Sequence, residues 1–137
     1  MIRLIVSGLR TCERKDLVTN EISKYILEIG GIDEIVAGGS EGVERFAKEY
    51  AYEQGIKYVE FLPDWQSHIN AASFIRDAQM AEYGTHLLVI SNGVSKESLN
   101  LIQEARKNRL AIKTIGVFKE GSDSSSAYVS VYPGTFY

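Results

Sequence analysis

Ile35, Val36 and Ala37 form an apolar run that breaks into Gly38, Gly39, Ser40, Glu41 and Gly42 before a helical pattern begins at Val43. Residues of these types at this spacing can hold an anion. Glycine lets backbone N–H groups approach a ligand with no Cβ in the way, and the helix that follows carries about half a positive charge at its N-terminus. Phosphate is the natural candidate. The same residues also serve an ordinary tight turn, with glycine supplying positive φ and Ser40 acting as a helix N-cap. The stretch lacks the Gly-Lys-Ser/Thr ending of a Walker loop and does not meet the GxGxxG dinucleotide fingerprint.

Three further stretches carry candidate chemistry. Ser7, Gly8 and Arg10 follow the first apolar run, and the Arg10 guanidinium suits a bidentate grip on phosphate or, equally, a solvated loop. Pro63, Asp64 and Trp65 follow the third run. Trp65 is the only tryptophan, suited to stacking on a purine, capping a pocket or filling a core; Asp64 suits a sugar hydroxyl or a turn after proline. Arg76 and Met80 share a helical face, so Arg76 either reaches back to an anion or pairs with Asp77 or Glu82. His68 and His86 have no partners at ligand spacing, so no metal site is expected, and no GxSxG nucleophile elbow occurs. No separate cofactor is expected.

The elements that must position these residues follow from periodicity. Short β-branched runs at residues 2–7, 34–37, 57–61, 85–90 and 112–118 alternate with helical patterns at 16–29, 43–54, 70–83 and 96–109. Five strands separated by four helices predict an α/β fold, a doubly wound, mainly parallel sheet. Val18, Ile22, Tyr25, Ile26 and Ile29 give the first helix one apolar stripe, as Val43, Phe46, Ala47, Tyr50 and Ala51 give the second. Gly30, Gly31 and Gly55 end these helices. In such a sheet, ligands bind beyond the carboxyl ends of the strands, so loops 7–15, 38–42, 62–70 and 91–96 are expected to converge.

The 137 residues suit one domain, and no apolar run approaches a membrane span, so no membrane partner is expected. Residues 1–118 are assigned to the α/β domain and 119–126, rich in serine, to a flexible loop. Residues 127–137 form a strand and tail, because Tyr128, Val129, Ser130, Val131 and Tyr132 alternate at period two. That strand either packs on its own domain or contacts another subunit. A net charge of −3 counts against a large nucleic-acid footprint. The single cysteine, Cys12, and a start without signal-peptide features lead to the expectation of a cytoplasmic protein.

Taken in order, Ser7-Gly8-x-Arg10, Gly38-Gly39-Ser40-x-Gly42-Val43, Asp64-Trp65, Arg76-x-x-x-Met80 and the strand ending in Ser91-Asn92-Gly93 resemble the SLOG superfamily, in particular its YspA/YpsA-type branch. The likeness extends over about residues 2–115. It implies a Rossmann-like three-layer sandwich that binds a nucleotide or nucleotide-derived ligand, often as a homo-oligomer. The implied ligand set is Ser7, Gly8, Arg10, Gly38, Gly39, Ser40, Gly42, Asp64, Trp65, Arg76, Asn92, Gly93, Ser95 and Ser98. The superfamily also includes the Lonely Guy phosphoribohydrolases, which cleave the N-glycosidic bond of nucleoside 5′-monophosphates, and the DNA-processing DprA proteins.

The departures from those relatives narrow the expectation. Where the Lonely Guy enzymes carry Pro-Gly-Gly-x-Gly-Thr-x-x-Glu, this chain reads Ser91 through Leu99, with Leu99 at the catalytic glutamate position. A leucine exchanges no protons, so hydrolysis needs Glu44 or Glu97 as the carboxylate. The YspA-type branch commonly has Gly-Ser-x-Gly-Val-Asp and Ser-x-Gly-Thr; here Glu44 replaces the aspartate and Glu97-Ser98 replaces Gly-Thr. Glu97 adds charge where backbone would approach phosphate, with Lys96 beside it. Ligand binding without efficient catalysis is therefore the leading expectation, N-glycoside hydrolysis the second, and single-stranded DNA binding of the DprA kind the third.

Overall fold

The computed structural model describes residues 1–67, 69, 71–92, 98–119 and 128–133. Strands and helices alternate as β1 (Arg3–Gly8), α1 (Lys15–Ile29), β2 (Glu34–Ala37), α2 (Val43–Gln54), β3 (Lys57–Glu60), α3 (Ala72–Tyr83), β4 (His86–Ser91), α4 (Leu99–Lys107), β5 (Ala111–Lys119) and β6 (Tyr128–Pro133). The sheet order is β3-β2-β1-β4-β5-β6. β1 to β5 run parallel, and β6 pairs antiparallel with β5 in the same chain.

The central parallel strands β1, β2 and β4 are buried on both faces, so adjacent residues of one strand enter different cores. Leu4, Val6, Leu88 and Ile90 pack with Val18, Ile22 and Tyr25 of α1 and Val43, Ala47 and Ala51 of α2. Ile5, Leu87 and Val89 pack with Met80 of α3 and Leu101, Ile102 and Ala105 of α4. This period-two division makes the molecule a three-layer α/β/α sandwich, and each fully buried Leu or Ile contributes about 1.5–3 kcal/mol. The stripes anticipated for α1 and α2 are the buried ones. Gly30 and Gly55 end those helices in the left-handed conformation, φ 87° and 69°.

Helix boundaries differ from the expectation at four ends, α1 beginning one residue early at Lys15. α3 begins at Ala72, not residue 70, and α4 begins at Leu99, not residue 96, with Ser98 at its N-cap. α4 also stops short of residue 109, because Arg109 takes φ 60° and turns the chain out of the helix.

Strand order reverses between β1 and β4: the chain steps outward from β1 through β2 to β3, then returns to the other side of β1. The point between β1 and β4 is where open α/β sheets place their ligand crevice. The β1 end is held close to its neighbour. Leu9 N–H donates to the Ile90 carbonyl at 3.0 Å, and a Cβ on Gly8 would stand 2.0 Å from that oxygen.

Candidate functional site

The glycine turn after β2 closes around a side chain of its own helix. Glu44 Oε1 accepts from the Gly38 and Ser40 amides at 3.0 and 3.1 Å. Two N–H groups that an anion cradle would offer to a ligand therefore point inward at a carboxylate. Glu44 is 7% exposed, and burial pushes its carboxyl above the usual carboxylate range, against the opposing pull of the Ser40 amide and Arg76. Gly42 (φ 75°) N-caps α2, so the expected Ser40 cap is not used. A Cβ on Gly42 would stand 2.2 Å from the Leu9 carbonyl oxygen, which in turn accepts from Val43 N–H at 3.0 Å. Gly42 is thus required both for its φ and for the close passage of the segment that follows β1.

Behind the turn, Arg76 of α3 is buried. Its Nη1 donates to the Gly38 and Phe61 carbonyls at 3.1 and 3.4 Å, tying the ends of β2 and β3 together. Its Nε pairs with Asp77 Oδ1 at 2.9 Å, and Asp77 Oδ2 accepts from Asn100 at 3.0 Å. The helical face anticipated for Arg76 and Met80 points into the protein. The pairing with Asp77 is formed, in the interior and not on the surface.

Outside the turn lies a cleft of about 740 Å³ lined by Arg10, Gly38, Gly39, Ser40, Glu41, Leu62, Pro63, Trp65, Ser73 and Arg76. The loops after β1, β2 and β3 meet here. Trp65 is 57% exposed, so its indole is neither core nor capped by the described residues. Asp64 Oδ1 accepts from Ser67 N–H at 3.1 Å, the turn role open to a residue after proline. A second cleft of about 340 Å³ flanks the same turn on the α2 side, between Glu44, Arg45, Lys48, Tyr52, Tyr58 and Glu60. Glu44 borders this second cleft and not the first.

At the switch point, Ser7 donates to Glu44 Oε2 at 3.4 Å and shares a 2.8 Å hydrogen bond with Ser98, all three side chains being buried. Asn92 is exposed at the end of β4. Gly93, Ser95, Lys96 and Glu97, with His68, lie outside the described residues. Among the described residues no group of three His, Cys, Asp or Glu side chains could hold a metal, and no helix is long and apolar enough to cross a membrane.

Sequence reasoning did not single out Glu41, Leu62 or Ser73 as cleft residues. The signal for Ser73 was its place in the first turn of a helix that starts at the carboxyl edge. The signal for Leu62 was an apolar residue in a polar loop.

Strand order, a glycine turn at the carboxyl edge and a cleft beside it define a Rossmann-like α/β protein. Residues 2–68, just under half of the chain, match the family described as YspA, cpYpsA-related SLOG. The solved structure of DNA processing protein A (DprA) from Streptococcus pneumoniae is similar in fold, with a TM-score of 0.62 over 92% of this chain at 15% identity. The match takes in 53% of DprA, so this chain spans about half that protein's length. No curated protein matches the sequence.

Proposed function

We propose that the protein binds a nucleotide or nucleotide-derived ligand in the cleft between the glycine turn and Trp65. The observation that carries this reading is the meeting of Arg10, Gly39, Ser40 and Trp65 around one space of about 740 Å³, within the size range of small-molecule sites. Arg10 supplies the charge for a phosphate and the exposed indole a face for a base. The phosphate lies against the outer side of the turn and Arg10, because Glu44 holds the Gly38 and Ser40 amides. Arg76 lines the same cleft and also braces the turn from behind.

A thermal-shift panel of nucleotides and dinucleotides at millimolar concentration tests this. A ligand present at 100 times its Kd stabilises the fold by about 2.7 kcal/mol, and it should also change the emission of Trp65. If no compound shifts the melting temperature or the emission, the reading fails.

One observation favours a second reading, N-glycoside hydrolysis: a buried carboxyl with raised proton affinity, Glu44, sits at the switch point. It ranks second because Glu44 does not border the Arg10–Trp65 cleft and Leu99 replaces the carboxylate of the Lonely Guy enzymes. Chromatography for free base released from purine and pyrimidine monophosphates, with Glu44→Gln as control, decides it; no release ends it.

A further inference from the structure

We propose that Glu44, Ser7 and Ser98 form a hydrogen-bond relay whose direction reverses with protonation of Glu44, coupling the glycine turn to the N-terminus of α4 across the β1/β4 switch point. The inference goes beyond ligand binding and does not depend on which ligand is bound.

The geometry fixes the direction of the chain. Glu44 Oε1 faces two amide donors, Gly38 N–H and Ser40 N–H, and therefore stays an acceptor. Any proton on the carboxyl goes to Oε2, which faces Ser7 at 3.4 Å. With Glu44 ionised, Ser7 must donate to Oε2, so within their 2.8 Å contact Ser98 must donate to Ser7. With Glu44 protonated, Oε2–H donates to Ser7, Ser7 donates to Ser98, and the Ser98 proton is turned away from the chain. No proton is created or lost along the relay; each hydroxyl keeps one and changes its partner.

A second, independent observation supports the assignment. Ser98 occupies the N-cap of α4, where a serine normally accepts from an amide of the first turn, yet it makes no side-chain cap hydrogen bond. Its hydroxyl is spent on Ser7. The contact bridges residues 91 positions apart and joins β1 to α4 with Ser98 only 2% exposed. In a low-dielectric interior such chains strengthen cooperatively.

The groups facing Glu44 set the pH at which the relay turns. Arg10 from the loop after β1 and Arg76 from α3, the latter paired with Asp77, favour the charged form. Burial opposes them. Tyr58, whose hydroxyl is paired with Glu60, faces it from β3, and Arg45 and Lys48 of α2 share the adjoining cleft with it.

The test is the carboxyl titration of Glu44 followed by carbon NMR on full-length protein labelled at glutamate Cδ, its signal identified by loss in Glu44→Gln. Ser98→Ala removes a hydroxyl that does not touch Glu44, yet it should raise the Glu44 midpoint by roughly a few tenths of a unit, the size of cooperative polarisation. Ser98→Thr, which keeps the hydroxyl, should restore the wild-type midpoint. Ser7→Ala should raise it further, since it removes the direct donor. A midpoint unchanged in Ser98→Ala overturns the relay, and so does a Ser98→Thr midpoint that stays with Ser98→Ala. If Ser7→Ala does not fold, the two Ser98 variants decide alone.

Discussion

Arg76 Nη1 donates to the Gly38 carbonyl at 3.1 Å, while a Cβ at position 38 would stand 2.3 Å from that nitrogen and 3.0 Å from Glu44 Oε1. The turn after β2 is thus clamped between a buried cation and a buried carboxylate. Its glycine is demanded by how closely both approach, not by backbone strain.

The glycines should therefore separate by mechanism. Gly38→Ala should cost about 1–3 kcal/mol through overpacking. Gly42→Ala should cost more, because it meets the Leu9 backbone and also needs φ 75°. Gly55→Ala, with open space around it, should cost only about 1 kcal/mol for its left-handed φ. Urea denaturation of the three variants checks the order.

Arg76→Met leaves Asp77 as an uncompensated buried charge and strips a donor from Gly38, an expected loss of about 3–5 kcal/mol. Removing both charges in Arg76→Met/Asp77→Leu should recover a large part of that loss. A double variant as unstable as the sum of its single changes would show that the carbonyl contacts, not the ion pair, dominate.

Glu44 makes stability fall with rising pH. Its folded carboxyl binds a proton more tightly than the unfolded one, so the native state is penalised as pH climbs from the ordinary carboxylate range through the raised value, by about 1.4 kcal/mol per unit of elevation. Glu44→Gln keeps an Oε1 acceptor for Gly38 and Ser40 and removes the penalty. Its denaturation midpoint should match wild type near pH 4 and exceed it near pH 8.

Glu34, at the opposite edge of the sheet, works in the other direction. The Tyr83 hydroxyl bonded to it, with Lys57 and Arg3 beside it, holds its carboxyl below the usual range. That stability is present above the ordinary carboxylate value and is lost as pH falls through the lowered one. Tyr83→Phe should be less stable than wild type at pH 7, and the gap should narrow steadily on acidification.

Ligand binding should depend on Arg10 and Trp65. Trp65→Ala should melt within about 0.5 kcal/mol of wild type, as exposed substitutions do. Loss of a charge-assisted phosphate contact should weaken nucleotide affinity by about 10- to 100-fold in Arg10→Gln. Calorimetric titration of any nucleotide that scores in the thermal panel measures it.

The element order, the apolar stripes of α1 and α2, the glycine stops at Gly30 and Gly55 and the convergence of the loops bearing Arg10, Ser40 and Trp65 all follow from the sequence. Each rests on period and turn chemistry within a few residues. The partners inside the turn do not. Glu44 filling the Gly38 and Ser40 amides, Arg76 turned inward to Gly38, and Ser98 diverted from its cap to Ser7 join segments 6, 38 and 91 positions apart. Residue type offers each of these side chains several partners. Strand register and the order β2-β1-β4 choose one, and burial then makes that choice obligatory, because an unpaired charge or hydroxyl in the interior costs more than any alternative contact returns.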